Sequence, residues 1–113
     1  MRAAARRRHA VADAAPLFAA LGDPTRLALV ARLGSSGPLS ITRLADGSAV
    51  TRQAITKHLN VLSDAGLVRS ARQGRERIWE FDAAPLADAR RFLDDVSRQW
   101  DVALNRLKKY VEK

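Results

Sequence analysis

Residues 51–68 read TRQAITKHLNVLSDAGLV, and their side chains fall into two sets. Arg52, Gln53, Thr56, Lys57 and Asn60 carry groups that donate or accept hydrogen bonds in water, while Ile55, Leu59 and Leu62 fall at i, i+4 and i+7. That spacing puts the apolar three on one stripe of an α-helix. If the stripe faces a core, the polar set must face out. An α-helix fits the major groove of B-form DNA, where Gln addresses adenine, Arg or Lys addresses guanine, and Thr donates to a base or touches a thymine methyl. Thr51, Arg52, Gln53, Thr56, Lys57 and Asn60 are therefore the expected DNA-binding set of this helix. Gln53 and Thr56 are assigned mainly to base edges, Arg52 and Lys57 to bases or phosphates, and Asn60 to the rim. An ordinary solvated face has the same composition, so the next segment of the chain must decide.

That segment is LVRSARQGRERIWEF, where the apolar period changes to that of two extended runs around a short Gln73, Gly74 turn. The hairpin over about 68–81 holds Arg72, Arg75 and Arg77 at its tip, a second expected DNA-binding set that clamps the backbone or enters the minor groove. Glu76 either orients these arginines or makes a plain surface ion pair. Trp79 and Phe81 are expected to anchor the hairpin to the core. Ile78 alternates out of step with them and leaves the two faces of the hairpin unassigned.

Local signals place the remaining elements. In GDPTRLALVARLG, Asp23 caps a helix, Pro24 suits its first position and Gly34 closes it, with Leu27, Val30 and Ala31 facing inward. Ser40 caps a short helix with Ile41 and Leu44. Thr51 caps the reading helix, over about 51–65, and Gly66 supplies the left-handed residue that ends it. From Leu86 onward Leu86, Ala89, Leu93, Val96, Trp100, Ala103, Leu107 and Tyr110 recur in steps of three and four. Flanking charges stand four apart, Arg90 with Asp94, Arg91 with Asp95, and Asp94 with Arg98. A helix over about 85–112 would be ~40 Å long at 1.5 Å per residue, longer than the body of so small a domain. Part of the seam then needs a second chain, unless it packs wholly on its own domain. Leu17, Phe18, Leu86, Ala89, Leu93, Val96, Trp100, Ala103 and Leu107 are the expected dimer interface.

The chain of 113 residues has a formal net charge of +8. Four of the positive charges, Arg2, Arg6, Arg7 and Arg8, stand in the first ten residues. Residues 51–77 carry six bases against Asp64 and Glu76, while residues 11–50 balance to zero. Clustering of this kind suits a polyanionic partner, and a merely basic surface is the plainer alternative. Residues 1–10 are expected to be a basic, flexible arm, or else a helix running on into the segment around Val11 to Leu21, where Pro16 blurs the boundary. Residues 11–113 form a single domain, mainly α with a small β-hairpin, a winged helix-turn-helix flanked by N- and C-terminal dimerisation helices. With no cysteine there is no disulfide framework and no thiolate metal site. Neither a secretory leader nor a membrane span is legible, so a cytoplasmic, nucleoid-associated protein is expected. No nucleophile elbow, P-loop or metal triad occurs, and catalysis is not expected.

Three stretches carry a resemblance to a known family. LFAALGDPTRLALVARL resembles the second-helix signature of the ArsR family of bacterial winged-helix regulators, TRQAITKHLNVLSDAGLV its recognition helix and RQGRERIWEF its wing. The resemblance spans roughly residues 17–113. It implies a homodimer built through terminal helices that binds an inverted-repeat operator in double-stranded DNA and represses transcription. This chain resembles the branch without the metal-ligand motifs. Where metal-sensing relatives carry Cys-x-Cys it has Ser40 and Thr42 around Ile41, and residues 85–113 contain no histidine. Neither a metal nor another cofactor is expected. Ala49 stands where relatives often have glycine, with Gly47 earlier, which leaves the end of the third helix open. His58, on the inner flank of the reading helix, is expected to bond at the core edge, with phosphate contact or pH sensing as alternatives. A cleft beside Trp100 and the first helix is a candidate place for an apolar effector, although interface core explains the same residues better. Two other functions fit the composition: an architectural DNA binder without sequence preference, and a winged-helix module that binds proteins.

Overall fold

The computed structural model describes the backbone of residues 2–112 and side chains from residue 11 to residue 112. Helix α1 covers Arg2–Leu21 with Pro16 inside it. Residues 2–10 thus follow the helical path in their backbone; the side chains of the basic stretch, Arg2 to His9, lie outside the described residues.

Helix α2, Pro24–Ser36, begins where Asp23 accepts from the Thr25 and Arg26 amides at 2.9 and 3.0 Å. Two sequence expectations fail in this helix. Gly34 does not end it: the helix continues to Ser36, and Gly37, at φ +82°, donates its N–H to the Leu33 carbonyl. Leu27 and Ala31 are exposed, and the inward stripe is Leu29, Val30 and Leu33. Both stripes have helical spacing, so periodicity alone could not choose between them. Packing against the other helices did. The Arg26 guanidinium then ties α2 to the end of α1, Nε donating to the Ala20 carbonyl at 2.6 Å and Nη2 to Ala19 at 3.3 Å. These are among the carbonyls a helix leaves without intrahelical partners.

A two-residue strand, β1, Leu39–Ser40, leads into α3, Ile41–Ala45, whose first turn is capped by Ser40 accepting from the Arg43 amide. Arg32 closes the other end of α3, donating to the Leu44 and Arg43 carbonyls at 3.1 and 2.8 Å. Gly47, at φ +71°, makes the turn that Ala49 would not favour. Helix α4, Arg52–Asp64, is capped by Thr51 and ends in two reciprocal bonds, Gly66 N–H to Ser63 and Leu67 N–H to Leu62, both 2.9 Å. That pattern is a Schellman cap, with Gly66 at φ +77°.

Strands β2, Val68–Gln73, and β3, Glu76–Phe81, form the hairpin, and β1 joins β3 to make a three-stranded antiparallel sheet in the order β1, β3, β2. The paired Gln73 and Glu76 leave Gly74 and Arg75 as the loop, one residue later than the turn expected from the sequence. Glycine at the first loop position with positive φ matches a type II′ hairpin turn. Register also settles the faces: Val68, Ser70, Phe81 and Trp79 share the inner one, and Ile78 lies on the other beside Ser40. Trp79 is 3% exposed, and its Nε1 has no acceptor. An orphaned donor costs ~1–3 kcal/mol, against ~5 kcal/mol for ~200 Å² of indole removed from water at ~25 cal/mol per Å². Burial prevails, so Trp79 anchors the hairpin as expected.

Helix α5, Ala84–Val111, closes the chain. Its first half packs on α1, with the Phe18 and Phe92 rings 6.1 Å apart between centroids, and Ala89 is buried in the common core. Beyond Val96 every described residue of α5 is exposed, and the molecule measures 68 × 30 × 20 Å. The ion pairs on this helix are Asp88 with Arg91 and Asp95 with Arg98, three apart rather than the four-apart pairs expected. All four side chains are exposed, so the pairs add little.

The cap at Asp23 has a measurable pH signature. The Arg26 backbone amide, more than the nearby His58 and Arg26 charges, holds its carboxyl below the ordinary value of 3.8. A depressed folded pKa means the cap stabilises fully above the unfolded value and is lost as pH falls through the folded one. Asp23→Ala is expected to lower Tm at neutral pH by roughly 5 °C. As pH falls through that depressed folded value the wild type should lose this advantage, while Asp23→Asn, whose amide does not titrate, should keep its own. Thermal melts of the three proteins from about pH 7 to about pH 2 check this, and parallel curves would contradict it.

Candidate nucleic-acid interface

Ile55, Leu59 and Leu62 are 1%, 0% and 0% exposed, which fixes the rotation of α4 about its axis. Arg52, Gln53, Lys57 and Asn60 then lie in solvent, and Thr56 is half-buried at their centre. Four of the expected residues, Arg52, Gln53, Thr56 and Lys57, come together around one shallow depression whose remaining wall is Ile41 of α3. Asn60 lies further along the helix, outside the depression. Thr51 is exposed at the helix start with its hydroxyl engaged as the cap, accepting from the Ala54 amide at 3.1 Å.

Two contacts in this depression have no counterpart in the sequence reading. Arg52 Nη2 donates to the Thr42 hydroxyl at 3.1 Å, which holds the guanidinium against α3. Thr56 turns its hydroxyl back on its own helix and donates to the Arg52 carbonyl at 2.9 Å. Ile41 was legible only as a residue of the preceding helix, and Thr42 only as standing at the place of the family's Cys-x-Cys. A polar residue at the first turn of that helix was the one available signal that α3 touches the reading side chains.

The same positions bear on metal binding. Ser40 is buried and engaged as the α3 cap, and Thr42 accepts from Arg52, so both hydroxyls at the place of the family's Cys-x-Cys have other partners. Among the described residues no group of three or more His, Asp or Glu side chains is placed to hold a metal ion.

His58 leans toward α2. Its Nδ1 lies 3.4 Å from Nη1 of Arg26 and 3.8 Å from the Asp23 carboxylate. The ring sits at the core edge and joins the recognition helix to the α1–α2 corner rather than pointing outward with Gln53 and Lys57.

On the hairpin, Arg72 and Arg77 stand directly opposite one another across β2 and β3, and Arg75 occupies the turn. All three are exposed. Like charges in a cross-strand pair oppose the fold unless an anion lies between them. Arg77 also donates to Ser70 at 2.8 Å, whereas Arg69, nearer the base, is paired with Glu80 and Asp82. The uncompensated charge is therefore concentrated at the tip.

The residues expected at a dimer interface divide by their place in the single chain. Leu17 and Ala89 are a correction, since they are 7% and 4% exposed in the chain's own core and have no surface to offer a partner. Phe18, Leu86 and Val96 are half-buried. Leu93, Trp100, Ala103 and Leu107 are exposed. Packing of α1 on the first half of α5 within one chain uses up the early part of the seam.

A capped helix-turn-helix with an outward polar face, followed at once by an arginine-tipped hairpin, defines a winged helix-turn-helix DNA-binding protein. Comparison with known proteins agrees. A helix-turn-helix domain family model matches residues 21–71. The uncharacterized HTH-type transcriptional regulator YuzN of Bacillus subtilis is 42% identical over 76 residues, spanning 62% of this chain and 83% of the relative. The HTH-type transcriptional regulator Rv2034 of Mycobacterium tuberculosis is 41% identical over 85 residues, spanning 75% and 76%. Among solved structures, an ArsR-like transcriptional regulator from Rhodococcus sp. RHA1 superposes with a TM-score of 0.76 at 40% identity, covering 87% of this chain and 92% of that one. The chain belongs to the ArsR family of winged helix-turn-helix regulators and is a DNA-binding transcriptional regulator.

Proposed function

We propose that the protein is a homodimeric repressor in the bacterial cytoplasm, at the nucleoid, whose two α4 helices enter successive major grooves of an inverted-repeat operator about one DNA turn, ~34 Å, apart. The observation that carries this reading is the clustering of Arg52, Gln53, Thr56 and Lys57 around one depression on the outer side of α4. The exposed Arg72, Arg75 and Arg77 of the wing support backbone contacts beside it. The uncovered seam of α5, with Trp100 64% and Leu107 58% exposed, supports a second copy as its cover. Occupation of an operator by such a dimer excludes other proteins from the same DNA, which is the simplest route to repression. No helix among the described residues is long and apolar enough to cross a membrane.

Binding to a selected operator and to random DNA, each measured against salt, tests the proposal. Gln53→Ala is expected to reduce discrimination between the two DNAs by ~1–3 kcal/mol. Arg75→Ala is expected to weaken both alike and to lower the salt slope by about one. Equal losses on both DNAs for Gln53→Ala would remove Gln53 from the reading face. Salt-sensitive binding without any preference by the wild type would leave an architectural DNA binder, and no binding at all a protein-interaction module.

A further inference from the structure

We propose that Thr56 and Ile41 together form a receptacle for the 5-methyl group of a thymine, so that each operator half-site is read at one position by an apolar contact. This rests on α4 being the DNA-reading helix and adds what the centre of that helix reads.

The Thr56 hydroxyl is already occupied. Its hydrogen is committed to the Arg52 carbonyl at 2.9 Å, one turn back in the same helix. Back-bonding of this kind satisfies a threonine within a helix. The donor is therefore not available to a base. What Thr56 gives to the depression it lines is its methyl group, together with oxygen lone pairs. Across the depression stands Ile41, half-buried at the start of α3, an aliphatic side chain among groups otherwise suited to nucleic acid. Arg52 does not close over the space, because Thr42 holds its guanidinium against α3.

The floor of the reading face is thus aliphatic and its surround is polar and cationic, with Gln53 and Lys57 on the same helix. In the major groove only thymine presents a methyl group, beside its O4 acceptor. A thymine edge fits both parts: its methyl meets Thr56 and Ile41, and O4 or the neighbouring adenine meets the amide of Gln53. A cytosine presents only a C5–H where thymine has its methyl, so the contact with Thr56 and Ile41 is lost, and it presents its N4 donor where thymine has the O4 acceptor.

The test uses wild-type protein and DNA selected from a random pool. Thymines of the selected half-site are replaced one at a time by deoxyuridine, which removes the methyl and nothing else. One replacement is expected to weaken binding about fourfold per half-site, the value of one buried methyl, and about fifteenfold when made in both half-sites. Thr56→Ser, which loses the methyl, should bind the thymine and uracil probes almost equally. Thr56→Val, which keeps a methyl and loses the hydroxyl, should retain the preference for thymine. The proposal is overturned if the protein selects a sequence and yet no deoxyuridine replacement weakens it by more than about twofold. Retention of the preference by Thr56→Ser with its loss in Thr56→Val would overturn it too, making the hydroxyl the reader. Selection of no sequence at all would remove the DNA-reading role of α4 itself, a failure distinct from these.

Discussion

Trp100→Asp is expected to sediment as a monomer at micromolar concentration, to keep a wild-type circular dichroism spectrum, and to bind the operator about 10²- to 10⁴-fold more weakly. Trp100 is 64% exposed in the single chain, so its replacement removes little from the chain's own core. If the indole is buried against a second copy, a carboxylate there is left desolvated and unpaired, and a two-fold axis repeats the penalty. Each Leu of the seam, such as Leu93 or Leu107, contributes ~1.5–3 kcal/mol when fully buried, so one well-placed charge offsets several of them. The loss on DNA comes from valency: a monomer engages one half-site and forfeits the effective concentration that the joined second half-site provides. Leu93→Asp, at 50% exposure, should behave alike. A wild type that is already monomeric at micromolar concentration would overturn the dimer.

Leu59→Ala is expected to have the opposite signature, a loss of ~2–5 kcal/mol of stability in urea unfolding. Leu59 is 0% exposed, on the buried stripe of α4 between Ile55 and Leu62, and truncation leaves a cavity among α2, α4 and the helices packed on them. For a domain whose total stability is of order 5–15 kcal/mol, that is a large share. Asn60→Ala, one residue along but exposed, should change stability by no more than about 0.5 kcal/mol. Operator affinity at low temperature, where Leu59→Ala is still folded, separates stability from reading: the variant should retain its preference among sequences, since its polar face is intact. Similar midpoints for Leu59→Ala and Asn60→Ala would mean that the inner stripe of α4 is wrongly assigned.

Much of this was legible in the chain because the signals are local. Thr51, the Ile55, Leu59, Leu62 stripe and Gly66 lie within sixteen residues of one another, and each acts on its own backbone or helix face. Cap, stripe and terminator therefore carry the recognition helix whatever surrounds it, and they orient its outward side chains. The wing was legible for a similar reason, since a glycine turn between two extended runs is a short-range instruction. Asp23 and Pro24 gave the start of α2 in the same way, and three family-like stretches pointed to the ArsR family that the comparisons established.

Where two local answers were equally good, the sequence could not choose. Gly34 and Gly37 can each end a helix, and Leu27 with Ala31 makes as regular a stripe as Leu29 with Leu33. The outcome depended on which stripe met α4 and the sheet, residues far away along the chain. Ile78 and Trp79 posed the same choice in β3, settled by register with β2 and by a two-residue strand too short to leave a pattern. Leu17 and Ala89 had the spacing of an interface and became core because α1 folds back on α5. At the centre of the reading face, composition gave Thr56 both a hydroxyl and a methyl to offer. Short-range signals determined the elements and the chemistry available to them; three-dimensional packing and one bond back to the Arg52 carbonyl decided which side of each element, and which end of that threonine, meets what lies outside.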